Sequence, residues 1–343
     1  MAERSPLKRN QLIPAGYKTR KYLEQISEMP TAVSLFSGCG GSDAGLIKSG
    51  FEILMASDIN DFAGKVYSKN MPEVDFVVSD IKKIKSFPRA DLLVGCYPCQ
   101  GFSNGGLREA ERGINYLYQE FNRALQIIKP KAFIVENVSG MRRSNFIHLF
   151  DSQLKTFAES GYKVVWKVLD AREYGVPQER TRLFFVGIRS DLDVDYEFPN
   201  PTHALPGELS PLPPCPTIRD AIGDMDEWPE GEFDAQPFHW YYMSRNRYRG
   251  WNETSRTIVA NSRHISLHPV SPPLKRITTD EWVFAHDGPA RRFSYREAAR
   301  LQGFYNDLKF PDEIGLKSRY RVVGNAVPPP LFAAVAGALP DIF

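Results

Sequence analysis

Ala32-Val-Ser-Leu-Phe36-Ser37-Gly38-Cys39-Gly40-Gly41 is the stretch on which the fold turns. An apolar run ends in a glycine turn, and a helix pattern follows around residues 44–49. The unit then repeats. Strands are expected at 51–57, 75–78, 92–94, 132–135, 163–168 and 183–188, after the first at 32–36. Helices are expected at 62–70, 117–128 and 146–160. Strands alternating with helices predict an α/β fold, a doubly wound and mostly parallel sheet covered on both faces.

The pattern changes after Ser190. Prolines crowd 199–216, and aromatics (Trp228, Phe233, Phe238, Trp240, Tyr241, Tyr242) lead into a run of arginines. A smaller irregular domain is expected over 199–291. Ser294-Tyr-Arg-Glu297 is a capping box opening a helix through Leu301. A last helix over 331–339 would return to the first domain. The expected division is a tail at 1–30, a catalytic and cofactor-binding domain at 31–198 completed by 292–343, and the irregular domain between.

The chain has 343 residues, 42% hydrophobic and 24% charged, as in an ordinary globular protein. No apolar stretch approaches the ~20 residues of a membrane helix. The first ten residues lack an apolar signal core, so a cytoplasmic location is expected. Four cysteines in this length make no disulfide framework. Net charge is +2, but arginines cluster late. Arg245, Arg247, Arg249, Arg256, Arg263, Lys275, Arg276, Arg291, Arg292, Arg296 and Arg300 predict a basic face suited to DNA. The competing reading is a solvated surface.

Cys99 follows the strand Leu92-Leu-Val94 in Gly95-Cys96-Tyr97-Pro98-Cys99-Gln100-Gly101. A thiol at a strand's carboxyl end, before a glycine-rich stretch able to act as a lid, is placed for nucleophilic chemistry. Most lone cysteines are buried hydrophobes. Cys96 and Cys99 also match a redox or half-zinc spacing, but Cys39 and Cys215 stand alone, so no metal is expected. Glu136 ends the strand Phe133-Ile-Val. Half-buried there, it could hold or deliver a proton near neutral pH; a solvated strand end is the alternative. Gln178, Arg180 and Arg182 alternate onto one face if extended. They suit an anion or a base edge, or merely ion pairs.

The turn at 36–41 lacks a dinucleotide fingerprint, because the sixth position counted from Gly38 is Asp43. An anion there suits a pyrophosphate poorly. Asp58 ends the second strand, where a carboxylate suits ribose hydroxyls, and Asp80 follows the third, within reach of an adenine amino group. A cofactor with adenosine and no phosphates fits better, and S-adenosylmethionine is the commonest.

In this order the motifs resemble the cytosine-5 DNA methyltransferase family along nearly the whole chain. They are Phe36–Gly41, Asp58, Asp80, Pro98-Cys99-Gln100, Glu136-Asn137-Val138, Gln178-x-Arg180-x-Arg182, Arg296 to Phe304, and Gly324-Asn325-Ala-Val-Pro328. The resemblance implies a cytosine flipped from the duplex, attacked at C6 by Cys99, bound at N3 and its amine by Glu136, and methylated at C5. It implies that Asn137 and Pro98 shape the pocket and that Arg182 and Arg180 steady the base. It places the cofactor against Phe36, Ser37, Gly38, Cys39, Gly41, Asp58, Ile59, Asp80, Ile81, Leu117, Asn325 and Val327. Gln100, Ser103, Arg245, Arg247, Arg249 and Arg263 would meet double-stranded DNA. Met243 to Glu253 and Ser262 to Pro269 resemble the subgroup recognising GGCC, which implies a short GC-rich site. Arg245, Arg247 and Arg263 would read guanines there. The segment Ala260-Asn261-Ser262-Arg263 departs from that subgroup. A monomer is expected, and a cognate restriction endonuclease for the same site is left open. Transfer-RNA methylation, a silent DNA-binding partner and a nicotinamide enzyme are the alternatives.

Overall fold

The computed structural model describes residues 29–98, 116–142, 146–305 and 308–343. Seven strands form one sheet: β1 (Thr31–Leu35), β2 (Glu52–Asp58), β3 (Asp75–Val78), β4 (Leu92–Gly95), β5 (Ala132–Val138), β6 (Tyr162–Asp170) and β7 (Thr181–Arg189). Their order is β3-β2-β1-β4-β5-β7-β6, parallel except that β7 runs antiparallel between β5 and β6. The doubly wound, mostly parallel sheet is therefore present.

Strand order reverses between β1 and β4. From β1 the chain winds outward to β3, and from β4 it winds the other way. A crevice opens at the carboxyl ends of strands on either side of such a point. Register carries this to residues: Leu35 lies opposite Gly95 and Ser57, and Gly95 opposite Val135. The residues just beyond are Phe36, Cys96, Asp58 and Glu136, four of the positions the motifs single out.

The central strands are covered on both faces, which is why β4 is apolar throughout, whereas the edge strand β6 exposes Lys163 and Lys167. One face buries Val33, Leu35, Leu93, Phe133, Val135 and Phe185. Helices α3 (Leu117–Ile128) and α4 (Ile147–Glu159) lie on it, contributing Phe121, Leu125 and Phe157. Gly95 lets Phe121 reach the sheet, for a Cβ there would lie 2.5 Å from its ring. The other face buries Ala32, Ile53, Val94, Ile134, Phe184 and Val186. It meets Leu46 of α1 (Gly41–Lys48) and Leu331, Phe332 and Val335 of the last helix, Pro329–Gly337. The carboxyl-terminal helix thus returns to the first strands, as expected.

A third core joins the two ends of the chain. Cys39, together with Ala63 and Val66 of α2 (Asp61–Asn70), packs with Ile218, Ile222, Ile258 and Ile265. Phe293, the capped helix Tyr295–Leu301 and a helix Leu316–Asn325 complete it. That second helix was not expected. It carries Lys317, Arg319 and Arg321 and buries only Tyr320, Val322, Val323 and Gly324, so its apolar stripe is too narrow to show in the sequence. The proline- and arginine-rich region also holds short helices (Ile218–Ile222, Trp240–Met243) and a hairpin of β8 (Leu274–Thr278) and β9 (Glu281–Phe284).

The expected arginine face is corrected here. Arg291 and Arg292 are buried. Arg291 makes a bidentate pair with Glu297 at 2.8 Å. Arg292 donates to the carbonyls of Asp234 and Gln236 and lies over the rings of Phe238 and Tyr242. Arg296 and Arg300 pair with Glu232 and Asp224. Arg291 and Arg292 organise the region from inside, where a buried charge needs partners, whereas Arg296 is exposed and Arg300 half-buried. Arg245, Arg263, Lys275 and Arg276 remain exposed.

Candidate active site

The turn after β1 is held in an unusual backbone shape. Phe36 has φ +58°, in the left-handed region that a bulky side chain rarely adopts, and its ring meets Tyr97 edge-on at 5.8 Å. Ser37 bonds back to Ser34, and its N–H donates to Ser57 across the strands. Gly38, at φ +54°, donates its N–H to Asp58 Oδ2 at 3.0 Å. No atom lies within 4 Å of where a Gly38 Cβ would stand, so the turn opens onto free space. Gly41 is the opposite case: a Cβ there would overlap the Val327 carbonyl. The turn is thus closed from behind by the Asn325–Pro328 motif, from the far end of the chain.

Asp58 also accepts the Asn60 N–H at 2.8 Å, and burial pushes its carboxyl above the ordinary range. Ile59 beside it is 71% exposed. Asp80 caps the turn after β3 by accepting the Lys82 N–H, and Ile81 is buried. Leu117, half-buried, opens α3, and Asn325 is exposed. Cys39 differs from the rest. Its thiol is buried in the third core, donates to the Val322 carbonyl and is pushed up to about 12 by burial. It can offer a ligand only backbone. Two carboxylates, an exposed apolar side chain and a glycine with open space before it fit an adenosine-bearing group.

Asp43 carried the argument against a pyrophosphate, but its carboxylate is turned into the core. It accepts from Ser34 at 2.6 Å, Tyr67 at 2.7 Å and Ser42 at 2.9 Å. Burial raises its pKa, and the three hydroxyls oppose that. Asp43 is a buried junction between β1, α1 and α2 rather than an anion presented at the helix start.

Across the crevice, Glu136 accepts from Arg182 Nε at 2.8 Å. Antiparallel pairing brings the two together, since β7 lies directly beside β5. Their side chains are 10% and 13% exposed. Burial pushes the Glu136 carboxyl above the usual glutamate range, and Arg182 and then Arg180 pull against it. Such a group holds a proton closer to neutrality than a free glutamate does. Asn137 is buried beside it and reaches the Tyr97 carbonyl at 3.5 Å, while Tyr97 donates to Gln153 at 2.5 Å. Cys96 lies near Glu136 and Asp43; burial, then the charge of Glu136, pushes its thiol well up, so it is an inert neighbour. Pro98 is exposed and leads to Cys99. Cys99, Gln100 and Ser103, and the glycine-rich stretch read as a lid, lie outside the described residues.

Arg180 does not pair with Glu136. Its terminal nitrogens bind the carbonyls of Ile258, Gly324 and Ala326. Arg247 lies over the Tyr242 ring and bonds the Tyr242 and His264 carbonyls. Arg249 pairs with Glu179 and Glu253. Arg245 and Arg263 are exposed, and among the described residues neither guanidinium has a partner. Two groups carried no sequence signal. One is the Asp43 junction. The other is the buried cluster of His268, Glu297 and Arg291, which only folding brings together.

Residues 31–341 match the family described as C-5 cytosine-specific DNA methylase. The chain belongs to that family. The methyltransferase is 36% identical to the Type II methyltransferase M.BsuRI of Bacillus subtilis, over 90% of this chain and 78% of the relative. It is 35% identical to M.BspRI of Lysinibacillus sphaericus, over 91% and 82%. Its fold matches the solved structure of the Entamoeba histolytica methyltransferase EhMeth with a TM-score of 0.65, 19% identity and coverage of 90% of this chain and 96% of that one. The methyltransferase is a DNA cytosine-5 methyltransferase, and its family's chemistry depends on S-adenosylmethionine. Among the described residues no helix is long and apolar enough to cross a membrane.

Proposed function

We propose that the protein methylates a flipped-out cytosine within a short GC-rich duplex site and that Cys99 forms a transient bond to C6. The Glu136–Arg182 pair at the carboxyl edge of the sheet, on the same crevice as the glycine turn, carries this reading. Phe36, Ser37, Gly38, Asp58, Ile59, Asp80, Ile81, Leu117, Asn325 and Val327 would hold S-adenosylmethionine, with Cys39 and Gly41 contributing backbone. When bound, that cofactor supplies the methyl group. Glu136 places its carboxyl against N3 and the exocyclic amine. Its raised affinity for a proton lets it protonate N3 as the Cys99 thiolate adds to C6. Arg182 holds Glu136 in place. Asn137, fixed by Tyr97, and Pro98 shape the wall. A base then removes the C5 proton, Cys99 leaves as its thiolate, and the N3 proton returns to Glu136.

Unpartnered guanidiniums suit guanine O6 and N7, so Arg245 and Arg263 are the best placed readers, with Arg247 packed behind them. A monomer acting in the cytoplasm on double-stranded DNA, with or without a restriction endonuclease for the same site, fits this reading. The named relatives are Type II methyltransferases, which does not favour the transfer-RNA or silent-partner alternatives. The test is transfer of a labelled methyl group to duplex DNA by the intact protein and by Cys99→Ser, followed by bisulfite sequencing of the product. Transfer abolished in Cys99→Ser is expected. No transfer by the intact protein defeats the proposal.

A further inference from the structure

Arg180 sits where three parts of the chain meet, and its hydrogen bonds among the described residues go to Gln178 and to backbone carbonyls. It is 3% exposed. Nη1 donates to the Ile258 carbonyl at 3.1 Å, and Nη2 to the carbonyls of Gly324 and Ala326 at 3.2 and 2.9 Å. The two terminal nitrogens, the fork by which arginine grips a planar ligand, are therefore both engaged with backbone. Nε is buried and has no partner among the described residues. Two glutamines complete the junction. Gln178 accepts the Ile258 N–H at 2.9 Å and donates to Gln302 Oε1 at 2.7 Å. Gln302 in turn donates to the Ala326 carbonyl.

The backbone groups so held are not arbitrary. The Gly324 and Ala326 carbonyls flank Asn325 and lead into Val327, which closes the turn at Gly41. Ile258 opens the segment that runs through Ala260 to Arg263. Gly324 also touches that segment, for a Cβ there would overlap the Ala260 nitrogen. One guanidinium therefore ties the wall of the cofactor turn and the start of the arginine-bearing segment to the root of β7.

We infer that Arg180 is a positioning residue rather than a base contact, setting the Gly324–Val327 loop and the Ile258–Arg263 segment against the strand that carries Arg182. The inference rests on the reading of Asn325 and Val327 as part of the S-adenosylmethionine site. It predicts that altering Arg180 weakens cofactor binding before any DNA is present. Lysine keeps the charge but cannot span three carbonyls.

The measurement is calorimetric titration of S-adenosylmethionine into the full chain, without DNA, for the unaltered protein, Arg180→Lys, Gln302→Leu and Arg182→Lys. Thermal melting of the same samples reports folding. Single-turnover methyl transfer at saturating cofactor and DNA provides a second readout. For Arg180→Lys we expect the cofactor Kd to rise about ten-fold or more, as loss of charge-assisted hydrogen bonds implies, with the saturated rate within about ten-fold of the original. Gln302→Leu removes a donor to the Ala326 carbonyl without touching the methylation pocket, and should raise the Kd in the same direction. It keeps the question answerable if Arg180→Lys does not fold. Arg182→Lys should leave cofactor affinity unchanged. An unchanged Kd in Arg180→Lys and Gln302→Leu overturns the inference, as does a saturated rate down a hundred-fold at unchanged Kd in Arg180→Lys, the signature of a base contact. No cofactor binding by the unaltered protein defeats the cofactor reading itself and this inference with it.

Discussion

Replacing Glu136 by glutamine separates two consequences of one carboxylate. The side chain keeps its size and an oxygen able to accept from Arg182 Nε, now 2.8 Å away. What goes is the charge and the proton it can deliver. Breaking a buried ion pair by removing one partner costs about 3–5 kcal/mol, because the other charge is left uncompensated. Here the amide oxygen retains a hydrogen bond, and burial already works against the charge of the carboxylate. The loss should therefore be smaller, about 2–3 kcal/mol, or roughly 3–4 °C in Tm for a chain of this size. The activity loss should be far larger. A positioned proton donor contributes about 10²–10⁴ in rate, so single-turnover methyl transfer should fall at least a hundred-fold at saturating DNA and cofactor. A rate within ten-fold of the unaltered protein would refute the role given to Glu136. The double variant Glu136→Gln/Arg182→Met tests the pair: it should be less destabilised than the two single losses added, by about 1 kcal/mol or more. Simple additivity would mean that the contact carries no coupling.

Gly41→Ala should weaken S-adenosylmethionine binding and destabilise the fold by about 1–3 kcal/mol, because the added methyl meets the Val327 carbonyl. Alanine's helix propensity favours the change by about 1 kcal/mol at most, so a net rise in Tm would show that the contact yields. His268 is 1% exposed and is pushed down from 6.5 to about 3 by burial and by Arg291, with Nδ1 accepting the Val270 N–H and Nε2 facing Glu297. Its neutral form is native, so its contribution is full above pH 6.5 and is lost as pH falls toward 3. About 2 kcal/mol should be gone by pH 5, and urea midpoints at pH 7 and 5 should converge in His268→Asn; an unchanged pH dependence would exclude the residue. Arg245→Ala should cost about 1–3 kcal/mol of discrimination between DNA sites and under about 0.5 kcal/mol of stability. Arg292→Ala should do the reverse, unfolding more easily in a thermal melt, and equal selectivity after Arg245→Ala would count against it as a reader.

The central strands were legible because they are short apolar runs bounded by glycine, proline or charge, and a doubly covered sheet demands such runs; the edge strand β6, with Lys163 and Lys167 exposed, showed through its valines and tryptophan instead. Positions near strand ends were legible for the same reason: once the strands are placed, Asp58 and the turn after Leu35 must share one edge, although Glu136, expected to end its strand, lies within β5, which runs on to Val138. The helix Leu316–Asn325 was not, since most of its residues are polar and its packing is supplied by distant partners. Arginines were the hardest to read. Arg245 and Arg292 look alike in a list of basic residues, yet one is exposed and the other lies under two aromatic rings. Only the carbonyls that folding delivers tell them apart. Asp43 shows the same limit, because its three hydroxyl donors come from β1, α1 and α2.

The closure of Gly41 on Val327 also has a bearing on how the protein is made. The glycine turn leaves the ribosome well before the wall it leans on, which lies 286 residues further along the chain. At about 5–20 residues per second, roughly 15–60 s separate the two. A nascent chain can pair β1 with β2 and β4 in that interval, yet its cofactor turn stays unbacked. Ligand binding therefore cannot assist the early steps of folding and can only stabilise the finished molecule. A chain broken off before Val327 should form the sheet without a working crevice.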